Sequence, residues 1–158
     1  MKIRNGFVSN SSSTSFIVIG TVKNDDTIAS LRKEWGNQEV LHVTPDLGRH
    51  HFGWERRTYT HFWDRVIFSW IQAKYVQSSY PDWMEMLNDV LKDKLNVKQI
   101  SWELSVVGNT GNYKDQCFID HASASNEGRN TNMFENKQTL GMFLFSPSSY
   151  IQGGNVNE

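Results

Sequence analysis

The chain has 158 residues, 38 % of them hydrophobic and 13 % aromatic, with 6 Trp, 9 Phe and 5 Tyr. That length suits one ordinary domain, and rings in that number bury enough apolar area for a core, which excludes disorder throughout. A net charge of -1 and a single cysteine, Cys117, exclude a strongly basic nucleic-acid or membrane-surface protein, an intramolecular disulfide and a cysteine-rich zinc site.

The first residues carry Lys2 and Arg4 without a following apolar stretch, so no secretory signal is expected. No apolar run approaches the roughly 20 residues that span a bilayer, so no membrane partner is expected. Ser9 to Ser15 is turn or loop material by composition. Phe16 to Val22 then reads as a strand with a continuous apolar start, Phe16-Ile17-Val18-Ile19. Asn24, Asp25, Asp26 and Thr27 offer helix caps, Ile28, Leu31 and Trp35 follow at helical spacing, and Gly36 can end the helix. A short strand over Glu39 to Val43 stops at Thr44-Pro45.

Asp46 to Thr60 reads as a long polar connection, and loops of that length in a small domain are often functional. A long helix is expected from His61 to about Gln77, with Thr60 as its cap and an apolar face of Phe62, Val66, Ile67, Trp70, Ile71 and Ala73. Pro81 opens another helix whose stripe is Met84, Leu87, Val90, Leu91 and Leu95. Ile100 to Val107 alternates apolar and polar residues as a half-buried strand does, and "GNTGNYKD" suggests a turn to a partner strand over Gln116 to His121. Phe134 to Phe145 reads as a short helix, Ser149 to Gln152 as a last strand, and 153–158 as a frayed tail. No repeat or linker divides the chain. The order of elements predicts a single α+β domain over 1–158, a mainly antiparallel sheet with three to four helices packed on it as one pair of layers. A parallel α/β fold is the alternative.

"RNGFVSNSSSTSF", Arg4 to Phe16, resembles an N-terminal motif of small accessory proteins of tailed bacteriophages, Gly-Phe-Val-Ser-Asn followed by serines and Phe. "FGWE" (Phe52 to Glu55), "IDHAS" (Ile119 to Ser123) and "LFSPSSYIQGGN" (Leu144 to Asn155) are similar to the same kind of protein. Thr14 interrupts a tract that is usually all serine in that family, and the end reads Gly153-Gly154-Asn155-Val156 where the family often has Gly-Asn-Asp. The resemblance implies a phage accessory protein acting in the cytoplasm of the infected bacterial host, and it implies no catalytic residue.

Two segments are candidate contact surfaces. Arg49, Phe52, Trp54, Arg56, Arg57 and Tyr59 combine rings with guanidinium groups, the residue types that anchor interfaces. Arg4, Ser9, Asn10, Ser11, Ser12, Ser13, Thr14 and Ser15 form a candidate anion-binding or recognition loop, set against the plainer reading of a turn whose hydroxyls bond nearby backbone. His61 and His121 are the candidates for acid–base work, His61 with Asp64 three residues on. The plainer readings are a first-turn ion pair and a hydrogen-bonded structural histidine. No standard metal spacing or nucleophile elbow is present, and nothing calls for a metal or a cofactor. The function expected first is therefore binding to a host or phage macromolecule, in host takeover or counter-defence. A protein partner is favoured over nucleic acid by the charge. The alternatives are an enzyme on a phosphorylated or nucleotide substrate and a virion-associated structural protein.

Overall fold

The computed structural model describes residues 13–44, 51–52, 56–103, 118–119 and 132–155. In chain order these form β1 (Ser13–Val18), α1 (Asp25–Trp35), β2 (Gln38–Val43), β3 (His51–Phe52), β4 (Arg57–Tyr59), α2 (Phe62–Tyr75), α3 (Asp82–Leu95), β5 (Val97–Trp102), β6 (Phe118–Ile119), a 3₁₀ turn (Asn132–Phe134), α4 (Lys137–Phe145) and β7 (Tyr150–Asn155). The fold is α+β, as the element order predicts. The largest sheet is antiparallel, ordered β1-β7-β4, and two parallel pairs, β2-β5 and β3-β6, accompany it.

Four local expectations are corrected. The strand expected over Phe16 to Val22 is shifted back into the serine tract. Ser13 to Ser15 pair with Asn155 to Gly153, and the chain leaves the sheet before Gly20. β7 is the physical reason: it presents its backbone along the whole of Ser13–Val18, so it also extends through Gly153 and Gly154, where a frayed tail was expected. The strands expected to form a hairpin, Ile100 to Val107 and Gln116 to His121, have other partners over their described residues, and 104–117 and 120–121 lie outside those residues. β5 runs parallel to β2, and β6 runs parallel to β3. Finally, the stretch taken as one long loop contributes β3 and β4.

The register of the parallel pair has a visible cause. α1 ends two residues before β2 and α3 one residue before β5, and Asn37 and Asn96, the residues just before the two strands, both sit in the left-handed region (φ 56° and 54°). Asparagine tolerates that conformation better than most residues, so it turns a helix into a strand without a longer loop. Asn96 Nδ2 donates to Asn37 Oδ1 at 2.9 Å, and pairing begins at the next residues, Gln38 with Val97. Asn37 N–H donates to Leu95 O at 3.0 Å, and Arg32 Nε donates to Lys94 O at 2.6 Å, which ties the two helix ends together. Gly36 permits this approach: a Cβ there would collide with the Leu95 carbonyl oxygen and lie 3.0 Å from Arg32 Cα.

α2 runs through the centre of the molecule. Its expected apolar face is buried, but so are Asp64, Arg65, Ser69 and Gln72 on its other sides. Its start is capped by Asp64, whose Oδ2 accepts the His61 main-chain N–H at 3.2 Å. Phe52, Tyr59, Phe68 and Phe143 form a ring cluster against it, with Phe52 4.7 Å from Tyr59 and 5.1 Å edge-on from Phe68. Each such ring contributes about 1.5–3 kcal/mol by burial alone.

A second glycine fixes the exit from β1. Gly20 N–H donates to Ser149 Oγ at 2.8 Å, and a Cβ at Gly20 would lie 2.6 Å from both Ser146 Oγ and Ser149 N. Ser149 Oγ in turn donates to Met142 O at 2.9 Å, so the hydroxyl joins the end of β1 to α4.

Gly36→Ala is expected to lower stability by roughly 1–3 kcal/mol, because the colliding atoms are backbone and cannot rotate away. Arg65→Met is expected to cost on the order of 3 kcal/mol, because the carbonyls of Thr60, Leu144 and Ser149, the last two buried, lose the guanidinium they bond. Urea denaturation of both variants beside the parent measures each loss.

Candidate functional site

The segments singled out in the sequence are far apart along the chain, and the β1-β7-β4 sheet brings three of them together. β7, from the C-terminal stretch, lies in the middle. On one side Ser13, Thr14 and Ser15 pair with Asn155, Gly154 and Gly153. On the other, Arg57, Thr58 and Tyr59 pair with Gly153, Gln152 and Ile151. Strand alternation then sorts the faces. Ile17, Ile151 and Tyr59 share the row that faces the core, where Ile151 and Tyr59 are fully buried. Phe16, Gln152 and Thr58 share the next row, on the opposite face.

That outer row is polar apart from one ring. Thr58 Oγ1 donates to Gln152 Oε1 at 2.6 Å, and Gln152 Nε2 donates to Gly153 O at 3.1 Å. Phe16 remains 40 % exposed in the same row as this hydrogen-bonded pair.

The expected contact residues divide accordingly. Phe52 and Tyr59 are core residues with no exposed surface, so they cannot be contact anchors. Their strands are paired, which turns both rings inward. Arg57 lies over the Tyr59 ring, 5.6 Å from its centroid, and Arg56 is exposed on the approach to β4. Ser13, Thr14 and Ser15 are strand residues, not loop residues, because β7 takes up their backbone. Arg4, Ser9, Asn10, Ser11, Ser12, Arg49, Trp54 and His121 lie outside the described residues. His61 is an exposed cap residue, and the Asp64 carboxylate expected to orient its ring instead accepts the His61 main-chain N–H.

One constellation was missed in the sequence. His42 Nδ1 lies 2.5 Å from Glu103 Oε2, and Ser101 Oγ donates to that same oxygen at 3.1 Å. His42 and Ser101 are register partners near the carboxyl ends of the parallel strands β2 and β5, and Glu103 N–H donates to Val43 O at 2.8 Å just beyond the last pair. Ends of parallel strands are where α/β sheets commonly place ligands. The only sequence signal was a polar residue at outward positions of two expected strands. Their pairing, and hence the cluster, is not readable from spacing. Ser101 and His42 both bond the carboxylate and not each other, so the arrangement is not that of a nucleophile activated by a histidine.

Among the described residues, no group of three or more His, Cys, Asp or Glu gathers to hold a metal ion. No helix among them is long and apolar enough to cross a membrane. In comparisons with known proteins, the chain matches no family model, no curated protein and no solved structure.

The hydrogen bond with His42, followed by that from Ser101, holds the Glu103 carboxyl below its ordinary value of 4.5. A carboxyl with a lower pKa in the folded chain than in the unfolded one adds stability above the ordinary carboxylate range and loses it as pH falls through the lowered value. An NMR titration of the Glu103 side chain is therefore expected to show a midpoint below 4.5. His42→Ala should raise that midpoint most and Ser101→Ala by a smaller step.

Proposed function

We propose that the chain is a phage accessory protein that binds a host or phage macromolecule in the infected cell through the outer face of the β1-β7-β4 sheet. The observation that carries this reading is the exposed Phe16 ring on a face assembled from the sequence's motif-bearing segments. An exposed aromatic beside hydrogen-bonded polar side chains suits an interface anchor. Arg56, exposed where the chain enters β4, adds a guanidinium at the edge. A protein is the favoured partner: the net charge of -1 supplies no broad cationic surface for a phosphate backbone. An enzyme built on His61 is the weaker reading, because Asp64 bonds the His61 main-chain N–H and no carboxylate among the described residues bonds the ring.

The reading is tested by capture from infected cells with the tagged chain and with a Phe16→Ala, Arg56→Ala double variant. Both substitutions are at the surface, and a change of about 1 kcal/mol or less in stability is expected. Proteins enriched by the parent should fall by at least about tenfold with the variant, as loss of a contact anchor requires. Equal enrichment by a variant with an unchanged melting temperature would show that this face is not the interface.

A further inference from the structure

The proposed binding face makes no use of the His42 cluster, which has a defined chemistry of its own. Glu103 is ionised at neutral pH, and a carboxylate accepts hydrogen bonds but donates none. The proton in the 2.5 Å contact with His42 therefore sits on Nδ1, so the neutral form of the ring carries its lone pair on Nε2. The hydroxyl of Ser101 restrains the carboxylate from a second direction. The His42 side chain is 64 % exposed and that of Glu103 44 %. The result is an accessible ring nitrogen of fixed tautomer, backed by a negative charge that stabilises any positive charge developing on the ring.

Three chemistries use such a nitrogen. Metal binding needs further ligands, and among the described residues none gather. Catalytic proton transfer needs a substrate held against the base, and a ring this exposed encloses none. Covalent modification by a small electrophile needs only the accessible lone pair and the charge partner, and both are present.

We propose that His42 is a phosphoryl-acceptor site, modified at Nε2 by a small N-phosphoryl or acyl phosphate donor. The Nε2 lone pair forms a bond to phosphorus. With phosphoramidate the P–N bond breaks and ammonia leaves. With an acyl phosphate the P–O bond to the acyl oxygen breaks and a carboxylate leaves. No oxidation or reduction occurs. The ring becomes a cation whose Nδ1 proton stays in the hydrogen bond to Glu103.

The full chain is incubated at neutral pH with potassium phosphoramidate, and separately with acetyl phosphate. Labelled histidines are mapped by mass spectrometry without acid exposure. His61, which is also exposed and whose ring has no carboxylate partner among the described residues, is the internal reference. His42 should be labelled faster than His61 by at least one donor, and reaction with one donor alone identifies the donor class. Glu103→Gln, an exposed substitution that keeps a hydrogen-bond acceptor but removes the charge, should slow labelling of His42 by roughly tenfold or more. Labelling of His42 no faster than that of His61 with both donors, or an unchanged rate in Glu103→Gln, would overturn the assignment.

Discussion

The guanidinium of Arg65 holds together the parts of the molecule that everything else is built on. It is only 2 % exposed, and it donates to main-chain oxygens from three places: Thr60 at 2.6 Å, Leu144 at 3.1 and 3.0 Å from Nε and one terminal nitrogen, and Ser149 at 3.2 Å. Thr60 is where β4 hands over to α2, Leu144 lies in the last turn of α4, and Ser149 immediately precedes β7. A planar fork with rigidly placed donors suits that task as a lysine would not. The cost is desolvation: burial pushes the Arg65 pKa down to about 10, with the neighbouring Asp64 charge acting in the opposite direction. The group is still charged at neutral pH. Its bonds to the carbonyls, and the adjacent carboxylate, are what make a buried cation tolerable.

The position of the central sheet follows from that clamp. β7 leaves Ser149 with its first residue already set against α2 and α4, so Ile151 falls on the core and Gln152 on the outside. β1 and β4 then only need to find its two edges. Ser149 serves twice, its carbonyl bonded to Arg65 and its hydroxyl accepting from Gly20. The same few atoms thus set where β7 begins and where β1 ends. The β2-β5 pair is organised independently, by Asn37, Asn96 and the joined ends of α1 and α3, and the His42 cluster belongs to that second system.

The two systems explain what was legible in the sequence. The helices were, because their signals are local: Ile28, Leu87, Val90, Leu91 and Leu95 recur at helical spacing and are buried as that spacing predicts. The α+β class followed from element order. Pairing partners did not follow, since they depend on contacts between residues distant in the chain, from Gln38 with Val97 to Ser13 with Asn155. The Gly-Asn-rich segment after residue 107 looked like hairpin material, yet β5 found its partner through an asparagine placed before each strand. The same limit applied to function. Phe52 and Tyr59 have interface composition, and only their strand pairings reveal that they face inward. His42 and Glu103 are 61 residues apart and carry no motif, so the contact exists only once the register of β2 on β5 is known.

The central position of α2 accounts for the remaining anomaly. Arg65, Ser69 and Gln72 stand at i, i+4 and i+7, a polar stripe that on a surface helix would face water. Here the stripe is buried, and its members are served unequally. Arg65 has its carbonyls, and Ser69 Oγ donates to Arg65 O at 2.8 Å within the same helix. Neither amide atom of Gln72 has a hydrogen-bond partner among the described residues. An amide in that position costs stability that an apolar residue of similar size would not. The stripe therefore reads as the consequence of a single requirement. One position of α2 must carry a guanidinium so that β4, α4 and β7 meet, and burying the side of the helix that carries it also encloses Ser69 and Gln72.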